Sequence, residues 1–120
     1  MLRVIGQCHD HATRIENRVG EPAANPYLYI ASQIHAGLDG LRRQLRAPPA
    51  TDAPYTETAE KLPISLPEAL QTLRGDTVFC EAFGSDFIRI FDRIKQAEIT
   101  RYAEAEDKNE WQRREYFGRI

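Results

Sequence analysis

The sequence predicts an α+β fold, with a short antiparallel β-hairpin followed by a helical subdomain. Three observations carry this. Leu2-Arg3-Val4-Ile5 and Arg14-Ile15-Glu16-Asn17-Arg18-Val19 are short strand-like runs on either side of a polar loop. From Tyr27 onward, apolar residues recur at steps of four and three, the period of an amphipathic helix. Ser65 and Glu68 then spell a capping box, marking a second helical start. A length of 120 residues suits one small domain. It divides into a hairpin over 1–20 and a helical portion over 21–120, with a loop at about 47–64.

In the hairpin, Gly6-Gln7 opens a turn, and Cys8-His9-Asp10-His11 lies in the loop. Cys8, His9 and His11 hint at zinc, but a second ligand group at the usual spacing is missing, and a polar loop is the better reading. Alternation puts Arg14, Glu16 and Arg18 on one strand face, with Ile15, Asn17 and Val19 opposite. Two guanidinium groups beside a carboxylate suit a site that grips a polyanion and a divalent metal together. A salt-bridged ladder on a solvated sheet face explains the same pattern.

Asn25-Pro26 starts the long helix, Asn25 as cap and Pro26 at the first helical position. It extends to about Leu45, with Tyr27, Ala31, Ile34, Leu38, Leu41 and Leu45 as its apolar stripe. Ala36, Gly37 and Gly40 allow a neighbouring element to approach closely. Arg42, Arg43 and Arg46 sit where the helix dipole favours cations, and His35 is structural or exposed. The Pro/Ala/Thr-rich run from Ala47 to Thr58 is a surface loop.

The helix entered at Ser65 stops near Leu73. Arg74-Gly75-Asp76 reads as its stop signal rather than an adhesion motif. Thr77 to Phe83 forms a short helix closed by Gly84. Ser85-Asp86 opens the longest helix, with Phe87, Ile90, Phe91, Ile94, Ile99 and Tyr102 on its apolar side. Lys95, Glu98, Arg101 and Glu104 form a solvated charged face. A last helix starts at Asn109, and its Trp111, Tyr116 and Phe117 dock on the preceding one. The expected core joins Leu28, Ala31, Ile34, Leu38 and Leu41 to Leu70, Leu73, Phe87, Phe91 and Ile94.

Net charge is −2 with dispersed basic residues, which leaves no nucleic-acid footprint. No apolar run reaches the length of a membrane span, and no signal-peptide core is visible. Two cysteines are too few for a disulfide framework, and a cytoplasmic chain is expected.

The run Arg14-Ile15-Glu16-Asn17-Arg18, then Glu21-Pro22-Ala23-Ala24-Asn25-Pro26-Tyr27-Leu28 and Ala36-Gly37-Leu38-Asp39-Gly40, resembles the C-terminal part of the glutamine synthetase catalytic domain. The likeness continues more loosely through Leu62-Pro63 and Leu66-Pro67-Glu68-Ala69-Leu70 to the end. It covers nearly the whole chain, but only the last quarter or so of such an enzyme, making 1–120 a single partial domain.

The resemblance implies an ATP-dependent ligase of nitrogen metabolism, in which ATP phosphorylates the γ-carboxylate of glutamate and ammonia or an amine displaces the phosphate. It implies Mg²⁺ or Mn²⁺, with Glu16 as a metal ligand. Arg3 and Arg14 would contact ATP and the transferring phosphate, and Arg18 would hold glutamate or its acyl phosphate as the catalytic, substrate-binding arginine. By its bland reading, Arg3 is a strand-edge charge that blunts unwanted pairing.

The family's glycine-rich stretch with its His, its earlier metal-binding Glu residues and its flap Glu have no counterpart here. One carboxylate cannot build a two-metal site, so the chain is expected to be inactive alone. Its partners would be the missing N-terminal portion or further copies in an oligomer. A non-catalytic helical interaction module that keeps the ligase fold is the alternative. The ending Glu110 to Phe117 departs from bacterial glutamine-forming enzymes and keeps γ-glutamyl-amine ligases in view.

Overall fold

The computed structural model describes residues 2–51, 53 and 61–117. Of the loop expected at 47–64, residues 52 and 54–60 lie outside this description. The fold is α+β, as the sequence predicts. β1 (Leu2–Ile5) pairs antiparallel with β2 (Arg14–Asn17), setting Arg3 opposite Glu16 and Val4 opposite Ile15. Gly6 turns at φ +104°, and a Cβ there would lie 2.7 Å from Thr13 Cα, so the turn requires glycine. Turn bonds of 3.0 Å join Asp10 to Gln7 and Thr13 to Asp10, and the Cys8–His11 stretch is an exposed loop. β2 ends at Asn17 rather than Val19. The Asn17 side chain accepts from the Val19 amide at 2.9 Å, a local turn that draws the chain out of the strand.

α1 (Pro26–Arg42) starts as its sequence dictates: Asn25 Oδ1 accepts from the Tyr27 and Leu28 amides at 3.0 and 3.2 Å. It ends in a Schellman motif, with Leu45 N–H donating to Gly40 and Gln44 N–H to Leu41. Gln44 takes the left-handed position, at φ 52°.

The helix buries only part of the side its stripe suggests. Leu28, Ala31, Ser32 and His35 turn inward, and His35 packs on Phe83 with ring centroids 5.6 Å apart. Tyr27, Ile30, Ile34, Leu38 and Leu41 point outward, and Leu41 is 76% exposed. The small and polar side accommodates the bulky rings of the following helices. The aliphatic stripe meets no partner among the described residues. Nor does anything approach Gly37 or Gly40, where an added Cβ would meet open space.

α2 (Leu66–Gly75) starts with Ser65 Oγ accepting from the Glu68 amide at 3.4 Å, while Glu68 Oε2 reaches back to the Ile64 amide at 3.0 Å. It runs two residues past Leu73. Arg74 is held by Asp92 at 2.6 Å, and Asp76 caps α3 (Thr77–Phe83) through the Phe79 amide. Arg-Gly-Asp is thus a helix junction. Gly84, at φ 83°, swings the chain into α4 (Ser85–Glu104). Phe79, Phe83, Phe87 and Phe91 form a continuous ladder, with successive centroids 6.3, 5.3 and 5.8 Å apart.

Leu70 and Ile88 are the buried apolar centre. Leu28, Ala31, Leu73, Phe87 and Phe91 are half-buried around it, whereas Ile34, Leu38, Leu41 and Ile94 are exposed rather than core. α4 is rotated from its expected setting. Ile90 and Ile94 face outward while Glu98, expected in water, is 4% exposed. The aromatic ladder explains this, because packing Phe87 and Phe91 inward carries Lys95 and Glu98 inward on the same face.

α5 (Lys108–Tyr116) is capped by Asp107, and Lys108 donates to the Tyr102 and Ala103 carbonyls at the end of α4. Trp111 meets Tyr102 edge-on at 5.3 Å and Tyr116 at 6.1 Å, as expected of a docked helix. Phe117 remains outside at 79% exposure.

Candidate active site

The hairpin register brings the first candidate group together. Arg3 faces Glu16 across the strands, and its Nη1 lies 3.3 Å from Glu16 Oε2. Arg18, just past the strand end, places Nε 3.3 Å from the same oxygen. That oxygen is buried yet accepts no hydrogen bond of good geometry. A carboxylate so placed is held by the charge of two guanidinium groups rather than by hydrogen bonds.

Glu16 is half-buried rather than openly exposed, because the two guanidinium groups cover it. Both arginines are about half exposed, at 49% and 51%, so most of their fork donors remain free for an incoming anion. Arg14 stands apart. Its Nη1 donates to the Ala12 carbonyl at 3.1 Å, and its exposed side chain makes no ion pair with Glu16.

A second polar centre, which sequence reading missed, lies between α4 and α5. Glu98 Oε2 accepts from Lys95 Nζ at 2.7 Å and from the Tyr116 hydroxyl at 3.0 Å. Burial, then the hydrogen bond to Glu98 and the nearby carboxylate charges, push the Tyr116 hydroxyl up to about 12, with Arg101 opposing. Lys95 also stands 5.8 Å and 5.6 Å from the ring centroids of Phe91 and Tyr116. A signal existed in the Lys95/Glu98 spacing, but the same spacing describes countless solvated pairs.

A cavity of about 700 Å³ opens beside this cluster, walled by Leu28, Tyr29, Phe83, Phe87 and Phe91. Arg3, Glu16 and Arg18 do not line it. The two centres therefore serve different ends: an open, charged hairpin face, and a structural ion pair inside the helical portion.

Among the described residues no helix is long and apolar enough to cross a membrane. No group of three or more His, Cys, Asp or Glu residues there could hold a metal ion.

Comparison with known proteins gives a consistent picture. Residues 1–116 match the glutamine synthetase catalytic domain. The chain is 41% identical to gamma-glutamylanilide synthase of an Acinetobacter species, across 98% of this chain and 25% of that protein. It is 36% identical to human lengsin, across 92% of this chain and 22% of that one. With glutamine synthetase of Vibrio alginolyticus the identity is 40%, across 75% of this chain and 21% of that one. The chain thus spans a quarter or less of the length of these relatives.

Proposed function

The chain belongs to the glutamine synthetase catalytic-domain family, and from that premise we propose that it supplies the C-terminal part of the active site of an ATP-dependent carbon–nitrogen ligase. The reaction joins ammonia or an amine to the γ-carboxylate of glutamate in the cytoplasm. It requires the rest of the catalytic domain, and the 120 residues are inactive alone. The observation that supports this best is the convergence of Arg3 and Arg18 on one otherwise unbonded oxygen of Glu16.

The chemistry assigns each side chain a task. A γ-carboxylate oxygen of glutamate attacks the terminal phosphorus of ATP and ADP departs. The amine nitrogen then attacks the acyl carbon, phosphate leaves, and a proton is lost from nitrogen. Such transfers depend on positioning and charge neutralisation more than on a protein nucleophile. Arg3 and Arg14 bind the phosphates, and Arg18 orients the glutamate carboxylate. Glu16 would be one carboxylate ligand of a divalent Mg²⁺ or Mn²⁺, which when bound would neutralise phosphate charge. The other metal ligands come from the preceding part of the domain.

The test is a ligase assay on the chain together with that preceding part, taken from the Acinetobacter relative, with glutamate, ATP, and ammonia or aniline. Product and ADP should form together, and Glu16→Gln or Arg18→Ala should lower kcat at least 100-fold, on the order of one lost transition-state contact. Full activity of the Glu16→Gln protein, or turnover by the 120 residues alone, would refute the assignment.

A further inference from the structure

We propose that Asn17 and Gln33 are positioning residues for Arg18, setting its guanidinium where it is to hold the glutamate carboxylate. This deepens the proposed function and rests on it. Arg18 lies just beyond the end of β2, about half exposed, with Nε 3.3 Å from Glu16 Oε2. A long side chain at a strand end has many rotamers open to it. One ion pair with a partly exposed carboxylate restrains it little. Its placement therefore depends on how firmly its backbone is held.

Asn17 holds that backbone from one side. Its Oδ1 accepts from the Val19 amide at 2.9 Å, closing an Asx-turn around Arg18. Its Nδ2 donates to Gln33 Oε1 on α1 at 2.8 Å. Gln33 Nε2 in turn donates to Ser32 Oγ at 3.4 Å, and that hydroxyl donates to the Tyr29 carbonyl at 2.7 Å. Each of the two amides thus uses both its donor and its acceptor, which sets the direction of each. The four bonds run unbroken from the backbone beside Arg18 to the backbone of a helix.

A second contact grips the chain on the other side of Arg18. A Cβ added to Gly20 would lie 3.0 Å from the Tyr29 hydroxyl oxygen and 3.1 Å from the ring carbon that bears it. Tyr29 and Gln33 are four residues apart and share one side of α1. Two residues of one helix face therefore hold Asn17 and Gly20, and Arg18 lies between the held positions.

The residue type at 17 points the same way. On β2, Asn17 takes the face of Ile15, where alternation favours an apolar side chain. Asparagine is depleted in strands. An apolar contact with α1 would let the strand end slide, whereas a bond accepted and a bond donated fix it in direction. Precision matters here, because displacing a substrate-holding group by about 1 Å can cost 100-fold in rate.

Two measurements test this. In the 120-residue chain, isotopically labelled at arginine Nε, the Arg18 Nε–H resonance should move on Glu16→Gln, which alters its ion-pair partner. Asn17→Ala and Gln33→Leu should move it by a comparable amount, acting through the backbone. Gln33→Glu keeps an acceptor for Asn17 and should leave the resonance in place. In the ligase assay with the preceding part of the Acinetobacter relative, Asn17→Ala and Gln33→Leu should lower kcat/KM for glutamate roughly 10-fold. The KM for glutamate should rise, the KM for ATP should not change, and Gln33→Glu should restore both. Mere loss of folded protein would lower kcat and leave both KM values alone.

An Arg18 resonance indifferent to Asn17→Ala and Gln33→Leu overturns the proposal. So does an unchanged KM for glutamate, or a KM for ATP that rises equally. If the resonance moves as expected but the unsubstituted assembly makes no product, the placement of Arg18 by Asn17 and Gln33 is supported and the ligase reading alone is overturned.

Discussion

The hydroxyl of Tyr116 donates to Glu98 Oε2 at 3.0 Å, fastening α5 to α4 across eighteen positions of sequence. The same oxygen takes the Lys95 ammonium at 2.7 Å, with Glu98 only 4% exposed. A buried ion pair adds little net stability, but removing one partner strands the other charge. Lys95→Met should therefore cost about 3 kcal/mol in urea unfolding. Adding Glu98→Gln, which keeps an acceptor for Tyr116, should recover much of the loss. Arg114→Met, at a solvent-exposed pair with Glu110, should cost less than about 1 kcal/mol. Equal losses at both sites would show that burial does not distinguish them.

The raised Tyr116 hydroxyl gives a pH dependence of definite sign. Its pKa is pushed from 10.0 to about 12 in the fold. The folded chain therefore holds this proton more tightly than the unfolded chain does. The corresponding stability is complete below pH 10 and is lost as pH rises from 10 towards 12. Thermal unfolding followed across that range should show a steeper decline for the native sequence than for Tyr116→Phe. Parallel curves would sink the argument.

Gln44 offers a stabilising change. It holds φ 52° at the position after the α1 cap, where glycine is the usual occupant. Gln44→Gly should raise stability by about 1 kcal/mol, since the left-handed conformation is penalised by the side chain and free to glycine. A melting temperature higher by about 4 °C would match. Gln44→Val should move it the other way.

The boundaries of the fold were legible because short-range chemistry sets them. Asn25, Ser65 and Gly84 act within a few residues of themselves, and each marks the helix end its residue type suggests. Alternation puts Arg14 and Glu16 on one strand face, whereas the register that sets Arg3 opposite Glu16 also depends on turn geometry, which alternation does not give. The choice of face was harder. α1 carries apolar residues on two sides, and periodicity cannot say which side meets the Phe ladder. Of the expected core positions on α1, Leu28 and Ala31 do face the ladder and His35 joins them, whereas Ile34, Leu38 and Leu41 do not. Glu98 differs for a related reason: the face it shares is set by Phe91 and Phe87, about two and three turns away, and by Tyr116 on another helix.

The single-residue junctions at Asp76 and Gly84 bear on the order in which the chain acquires its structure. Helices joined so tightly close their mutual contacts at little entropic cost, so the segment from α2 to α4 can form early and fast. The hairpin spans a longer loop and is tied to α1 through Asn17 and Gln33, both outside the buried centre. Its amides should exchange with solvent deuterium far sooner than those in the middle of α4. The proposed charged site on the hairpin would then be the last part of the chain to take its final shape, after the helical portion that carries it is already formed.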